Sequence, residues 1–195
     1  MSTKLENYFM IKRFITLFFV IVCSLNLFSQ QNGVFYLYGV DFTGCKVYAA
    51  KESEEDFIKA FYGINMLILS EPEKYNFSKV IDSEITPSIE MMFKTNSSYD
   101  FSHLKELKKE IPYIDYDKKV KEYDLDEKEG TGLVVFARFF NKPDNKALYN
   151  IVLFDIATRE IIKQKEVEGK AGGFGLRNYW AGSLYYAIRK CKMSE

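Results

Sequence analysis

The sequence predicts an α+β domain: an antiparallel or mixed sheet that includes a C-terminal three-stranded meander, with helices packed on it. Three observations predict it. A capped amphipathic helix begins at Ser53. Three apolar runs separated by turn residues lie between Leu133 and Glu168. A last helical stripe runs from Trp180 to Cys191.

Taken in order, Val34 to Ala50 reads as two short strands, with Gly39 and Gly44 permitting a bend or bulge between them. Ser53 followed by Asp56 resembles a capping box, and Phe57, Phe61, Ile64 and Ile68 recur at helical spacing until Pro72 ends the helix. Thr86-Pro87 reads as N-cap and first position of a short helix carrying Ile89, Met92 and Phe93. Ser102 to Ile111 reads as an amphipathic helix with Leu104, Leu107 and Ile111 on one face, stopped by Pro112. Asp115 to Glu129 is dense in charge, with Val120 and Leu125 alone to bury, and reads as an exposed helix or mobile surface segment. The meander strands are Leu133–Phe140, Leu148–Asp155 and Glu160–Glu168, joined by turns at Asn141–Asn145 and Ala157–Arg159. A Gly-rich loop then leads to the final helix, whose stripe is Trp180, Leu184, Ala187, Ile188 and Cys191.

The first 29 residues differ in kind from the rest. Lys12 and Arg13 precede an apolar run from Phe14 to Leu27, and a small residue, Ser29, precedes Gln30. That order predicts a secretory signal peptide over 1–29 and a single domain over 30–195, with Met10 a more typical start than Met1. The apolar run is shorter than the ~20 residues of a membrane-spanning helix, so no stable span is expected after cleavage. Cys23 follows Val22 rather than a small residue, which argues against lipid attachment there. The expected location is periplasmic, outer-membrane-associated or secreted.

Composition narrows the function classes. The 195 residues hold 27 basic and 27 acidic groups, and 47% are hydrophobic, which excludes a disordered chain. The leader contains Lys4, Lys12, Arg13 and Glu6, so the remaining 166 residues carry 24 basic and 26 acidic groups, a net of −2. Such a balance argues against nucleic acid as a partner. Phe 17, Tyr 14 and Trp 1 make the chain rich in aromatics, whose rings serve either a core with a wet edge or a binding platform.

No catalytic residue, metal set or cofactor is assigned. His103 is the single histidine and stands beside Ser102, and adjacent helical residues do not face one another. The cysteines lack metal-ligand spacing. Asp41, Asp155 and Glu160 fall at strand ends or turns, so a carboxylate-dependent hydrolase is the third reading. The segment Gly169–Asn178 is the most unusual in the chain. Its glycines before a helix can offer backbone N–H groups to an anion, flanked by charge, which makes Lys170, Gly172, Gly173, Gly175 and Arg177 the candidate ligand site. The alternative is a sharp strand-to-helix reversal. Cys45 and Cys191 both follow the leader, and in an oxidising space they form either a disulfide or two buried thiols.

Three segments carry a resemblance: Tyr38-Gly39-Val40-Asp41-Phe42, Glu71-Pro72-Glu73-Lys74-Tyr75, and Gly169-Lys170-Ala171-Gly172-Gly173-Phe174-Gly175-Leu176-Arg177-Asn178-Tyr179-Trp180-Ala181-Gly182-Ser183. With the leader ending in Ser29-Gln30, they resemble a family of exported proteins of uncharacterised activity from Bacteroides-type bacteria. The element order is more loosely similar to periplasmic anticodon-binding-like domains, among them the N-terminal domain of TolB and lipoproteins that activate penicillin-binding proteins. That similarity implies protein–protein interaction at the cell envelope. The acidic 115–129 segment and the lack of a lipobox depart from the lipoprotein members. The expectation is therefore a non-enzymatic envelope protein that binds another envelope protein. A small-ligand or anion-binding module is the alternative.

Overall fold

A computed structural model describes residues 33–193, so the leader, Cys23 and the cleavage site after Ser29 lie outside the described residues. In chain order the elements are β1 (Phe35–Asp41), β2 (Lys46–Tyr48), α1 (Glu54–Ser70), α2 (Ser78–Ile81), β3 (Thr86–Pro87), α3 (Glu90–Ser98), β4 (Lys105–Glu106), α4 (Tyr116–Glu122), β5 (Thr131–Asn141), β6 (Lys146–Asp155), β7 (Ile161–Lys170) and α5 (Leu176–Lys190).

The expected fold class, α+β with an antiparallel or mixed sheet, is corrected. The strand path β3–β1–β5–β2–β4 is parallel throughout and curled, and helices lie in the connections between its strands, which is an α/β-type arrangement. Gly44 lies in a turn that does not reverse the chain. Cys45 N–H donates to the Phe42 carbonyl at 2.9 Å, and the backbone then continues in its former direction. β1 and β2 therefore lie end to end along one side of β5, Phe35 opposite Thr131 and Val47 opposite Phe140. On its other side β5 pairs antiparallel with β6, and β6 with β7.

Helix α1 starts where Ser53 and Asp56 predict it. The Ser53 hydroxyl accepts from Asp56 N–H at 3.1 Å and the Asp56 carboxylate accepts from Ser53 N–H at 3.2 Å, a reciprocal box. Phe57, Phe61, Ile64 and Ile68 are buried against the sheet as their spacing requires. On this helix-covered face the aromatic rings form a chain. Phe42 stacks on Phe61 at 4.0 Å, Phe61 meets Phe140 edge-on, and Phe140 stacks on Trp180 of α5 at 4.4 Å. A second aromatic layer occupies the opposite face, where Tyr116 and Tyr123 lie against Phe136 and Tyr38 against Phe154. The high aromatic content is thus divided between two cores, one on each side of the sheet.

Three segments differ from expectation. Thr86-Pro87 forms strand β3 beside Tyr36 and Leu37, a place where proline's missing N–H costs nothing because the strand is an edge. The helix begins later, at Glu90. Residues 102–111 form a turn and the two-residue strand β4 rather than a helix. Of the stripe Leu104 buries, beside Phe101, while Leu107 is 95% exposed and Ile111 is also exposed, so the stripe does not share one face. The backbone instead pairs β4 with β2. The charged 115–129 run forms α4 and then a strap over the second sheet face. Tyr123 buries beside Val120 and Leu125 and anchors it.

Two close approaches fix the helix layer. β3 covers β1 only at Tyr36 and Leu37, and a register shift follows at Gly39. Beyond it, side-chain amides take the place of a neighbouring strand. Val40 N–H donates to Asn65 Oδ1 at 2.8 Å and Phe42 N–H to Asn96 Oδ1 at 2.9 Å, while both amide nitrogens donate to the Val40 carbonyl. Asn65 on α1 and Asn96 on α3 are buried, so the edge of β1 is fully bonded without a strand. At the opposite edge of the sheet, α5 lies so close to β7 that a Cβ on Gly169 would stand 1.9 Å from the Ser183 carbonyl oxygen.

Candidate functional site

The Gly-rich loop leaves β7 and enters α5. Two of its N–H groups are directed into the fold. Ala171 N–H donates to the Asn145 carbonyl at 2.7 Å, and Gly172 N–H donates to the Tyr179 carbonyl at 3.0 Å. Gly173 and Gly175 adopt φ of 130° and 80°, which turn the chain from strand to helix. Gly172 packs its carbonyl against Gly182 of α5.

The two cations go different ways. Lys170 ends β7 opposite Lys146. Arg177 lies across α1, its Cδ 2.6 Å from where a Cβ on Gly63 would stand, and its Nε donates to Asn178 at 3.0 Å. The structure therefore assembles Gly172, Gly173 and Gly175 into a reversal and places Lys170 and Arg177 on separate partners. Phe174, at the loop tip, is 96% exposed. Lys142 reaches back over the Tyr179 ring at 3.6 Å and pins the start of α5 to the β5–β6 turn.

The candidate carboxylates are also separated. Asp41 pairs with Phe136 on one side of β5 and Asp155 with Thr131 on the other, about 16 Å apart along that strand at ~3.3 Å per residue. Asp155 caps the β6–β7 turn by accepting from Thr158 N–H at 2.7 Å. Glu160 stands exposed before β7. Asp41 is buried at the end of β1 with its oxygens occupied. Oδ1 accepts from Thr43 N–H and hydroxyl at 2.7 and 2.6 Å, and Oδ2 accepts from the Tyr123 phenol at 2.6 Å. Lys119 of α4 donates to the Thr43 hydroxyl at 2.5 Å. This knot ties the 115–129 strap to β1, and Tyr38 reinforces it by donating to Glu127 at 2.9 Å.

Burial and the Asp41 charge together hold the Tyr123 phenol well above the ordinary tyrosine range, and burial does the same for Tyr38 and Tyr149. The sign follows from linkage. Each phenol is raised in the folded state, so stability is intact below pH ~10 and is lost above it, where the unfolded chain ionises first. Each of the three is expected to contribute a loss of about 1.4 kcal/mol per pH unit above pH ~10 until its folded pKa is reached. Urea titrations at stepwise alkaline pH measure this. Tyr123→Phe should shallow the slope by one phenol's share, and an unchanged slope would remove Tyr123 from the account.

His103 is exposed, and only its backbone carbonyl is engaged, by Lys46. Cys45 and Cys191 are free thiols, both buried. Burial, and to a lesser degree the Asp41 charge, pushes the Cys45 thiol far above its usual range. Among the described residues no group of three His, Cys, Asp or Glu is placed to hold a metal, and no helix is long and apolar enough to cross a membrane.

One surface stands out that the sequence pattern concealed. Helix α1 buries one face, yet its outer side carries Ile58, Tyr62, Met66 and Leu69 at 40%, 57%, 39% and 38% exposure. Tyr62 lies against Phe93 of α3 at 4.9 Å. Between the two helices is a dent of about 80 Å³ walled by Ile58, Phe61, Tyr62, Phe93 and Phe101, with Asn65 and Asn96 also lining it. The signal was present in the sequence, since positions 58, 62, 66 and 69 follow helical spacing, but it ran beside the stronger core stripe.

Comparison with protein-family models, with curated proteins and with solved structures finds no match to this chain.

Proposed function

We propose that this chain is an exported cell-envelope protein that works without catalysis, by binding another protein on the outer face of α1 and α3. The observation that supports this is the continuous exposed stripe Ile58–Tyr62–Met66–Leu69 beside the apolar dent. Exposed apolar surface of this kind is retained where a partner covers it. An aromatic rim around a hollow the size of one side chain has the anatomy of an interface hot spot. Glu54, Glu55 and Asp56 occupy the first turn of the same helix. Asp56 is engaged by Ser53 and Glu55 by Lys59 at 2.7 Å, so the partner is a segment that offers one apolar anchor to the dent, as an amphipathic helix does.

Crosslinking in intact envelopes tests this with the full chain carrying Ile58→Glu and Tyr62→Glu. Ile162→Glu serves as control, since Ile162 is 58% exposed on β7. The wild type and the control should recover the same protein, and the α1 variant should recover about tenfold less of it or none. Melting temperatures should agree among the three, because exposed positions shift stability by about 0.5 kcal/mol or less. Equal recovery by all three proteins would end the proposal.

A further inference from the structure

We propose that the hollow between residues 73–79 and the C-terminal half of α5 binds a small organic phosphate. The hollow measures about 630 Å³, within the range of small-molecule sites, and shares no residue with the α1–α3 dent. Its lining brings together Lys74, Lys79, Arg189 and Lys192 against one carboxylate, Glu73. Lys74 is paired with Glu71 at 2.8 Å. Among the described residues Lys79, Arg189 and Lys192 have no carboxylate within 4 Å.

Their positions are nonetheless set. Lys192 Nζ donates to the Lys79 carbonyl at 2.7 Å, which joins the two walls. Arg189 lies over the Tyr185 ring at 5.4 Å and donates to its hydroxyl at 3.1 Å. Met193 N–H donates to the Val80 carbonyl at 2.7 Å, and Tyr75 and Phe77 bury on either side of Asn76. Ile188 adds a buried apolar residue to the lining.

Cations in the last turn of a helix are expected, because they offset its dipole, and that accounts for Arg189 and Lys190. It does not account for Lys79, which comes from a different segment and lines the same space, while Lys74 is balanced by its pair with Glu71. The cleft of about 480 Å³ beneath Lys109 and Ile111 differs in this respect. There Lys109 pairs with Asp144 and Lys146 with Glu168. A guanidinium fork with ammonium groups around an apolar lining suits a phosphoryl group borne on a small organic body.

Titration calorimetry of the full chain with pyrophosphate, and with citrate as a carboxylate of comparable charge, tests the site. Pyrophosphate should bind, citrate should bind at least tenfold more weakly, and affinity should fall as salt rises. Arg189→Gln and Lys192→Gln should each weaken pyrophosphate binding about tenfold, and Glu73→Gln should strengthen it. Lys109→Gln, in the other cleft and paired with Asp144, should leave it unchanged. Absence of pyrophosphate binding, equal binding of citrate, or equal loss in Lys109→Gln would each overturn the proposal. The α1–α3 partner reading stands or falls separately, on the crosslinking experiment.

Discussion

Gly169→Ala is expected to destabilise the protein by about 3–5 kcal/mol, at or beyond the upper end of the range for overpacking a core. The added methyl would stand 1.9 Å from the Ser183 carbonyl oxygen and 2.7 Å from its carbon, both backbone atoms of α5. No rotamer change relieves a backbone contact, so the helix must move outward. That motion loosens Trp180, which is fully buried and stacked on Phe140, and Ser183, whose hydroxyl bonds Tyr149 at 2.6 Å. Gly172→Ala supplies the comparison. A Cβ there meets nothing within 4 Å, and the change should stay within about 0.5 kcal/mol of native or stabilise slightly. Urea unfolding followed by the fluorescence of the single tryptophan measures both. A loss below about 1 kcal/mol in Gly169→Ala would show that α5 does not lie this close to β7.

Asn65→Leu is the second large effect. Leucine has a similar size but no polar atoms, so the change leaves Val40 N–H buried without an acceptor. The expected cost is about 2–4 kcal/mol, more than a single exposed hydrogen bond contributes, because the orphaned donor carries its full desolvation penalty. Asn96→Leu does the same to Phe42 N–H. The two amides share the Val40 carbonyl as acceptor, so their effects should not add. A double-mutant cycle should give a coupling of at least about 0.5 kcal/mol. Hydrogen exchange gives a local readout, with the Val40 amide losing protection in Asn65→Leu and the Phe42 amide in Asn96→Leu. Native protection at both amides would mean that β1 has another partner along this edge.

Neither asparagine is conspicuous in the sequence, and they illustrate where sequence reading stopped. Asn65 sits in a helix whose apolar spacing was plain, and there it passes for a tolerated polar residue. Its role depends on β1 lacking a strand neighbour past Gly39, a fact of topology. The same limit explains the fold-class correction. Alternating and continuous apolar runs located β1, β5, β6 and β7, but pattern alone carries no information on which strand lies beside which. Gly44 permits a bend between two strands, but the sequence does not show that both strands lie on the same side of β5. Residues 102–111 had three apolar positions at helical spacing, yet burial fell on Phe101 and Leu104, and the stripe was coincidental. The meander turns at Asn141–Asn145 and Ala157–Arg159, by contrast, are local chemistry and were legible.

The loop 170–177 teaches a related point about sites. Glycines before a helix have the composition of an anion cradle and of a tight reversal alike. The structure turns the Ala171 and Gly172 N–H groups into the fold, a destination that composition does not encode. The basic hollow had no signature at all, since Lys74, Lys79, Arg189 and Lys192 are drawn from two distant stretches.

The parallel pairing of β1 with β5 has a kinetic corollary. Phe35 meets Thr131, so the first strand waits for a partner nearly a hundred residues downstream, and β2 waits about as long for Phe139. The β5–β6–β7 hairpins, joined by short turns, need no such closure and can assemble first. Folding is then a docking of the N-terminal half onto a preformed C-terminal template, slow by the standards of local topologies. A chain still being synthesised has no sheet to complete until its last third emerges.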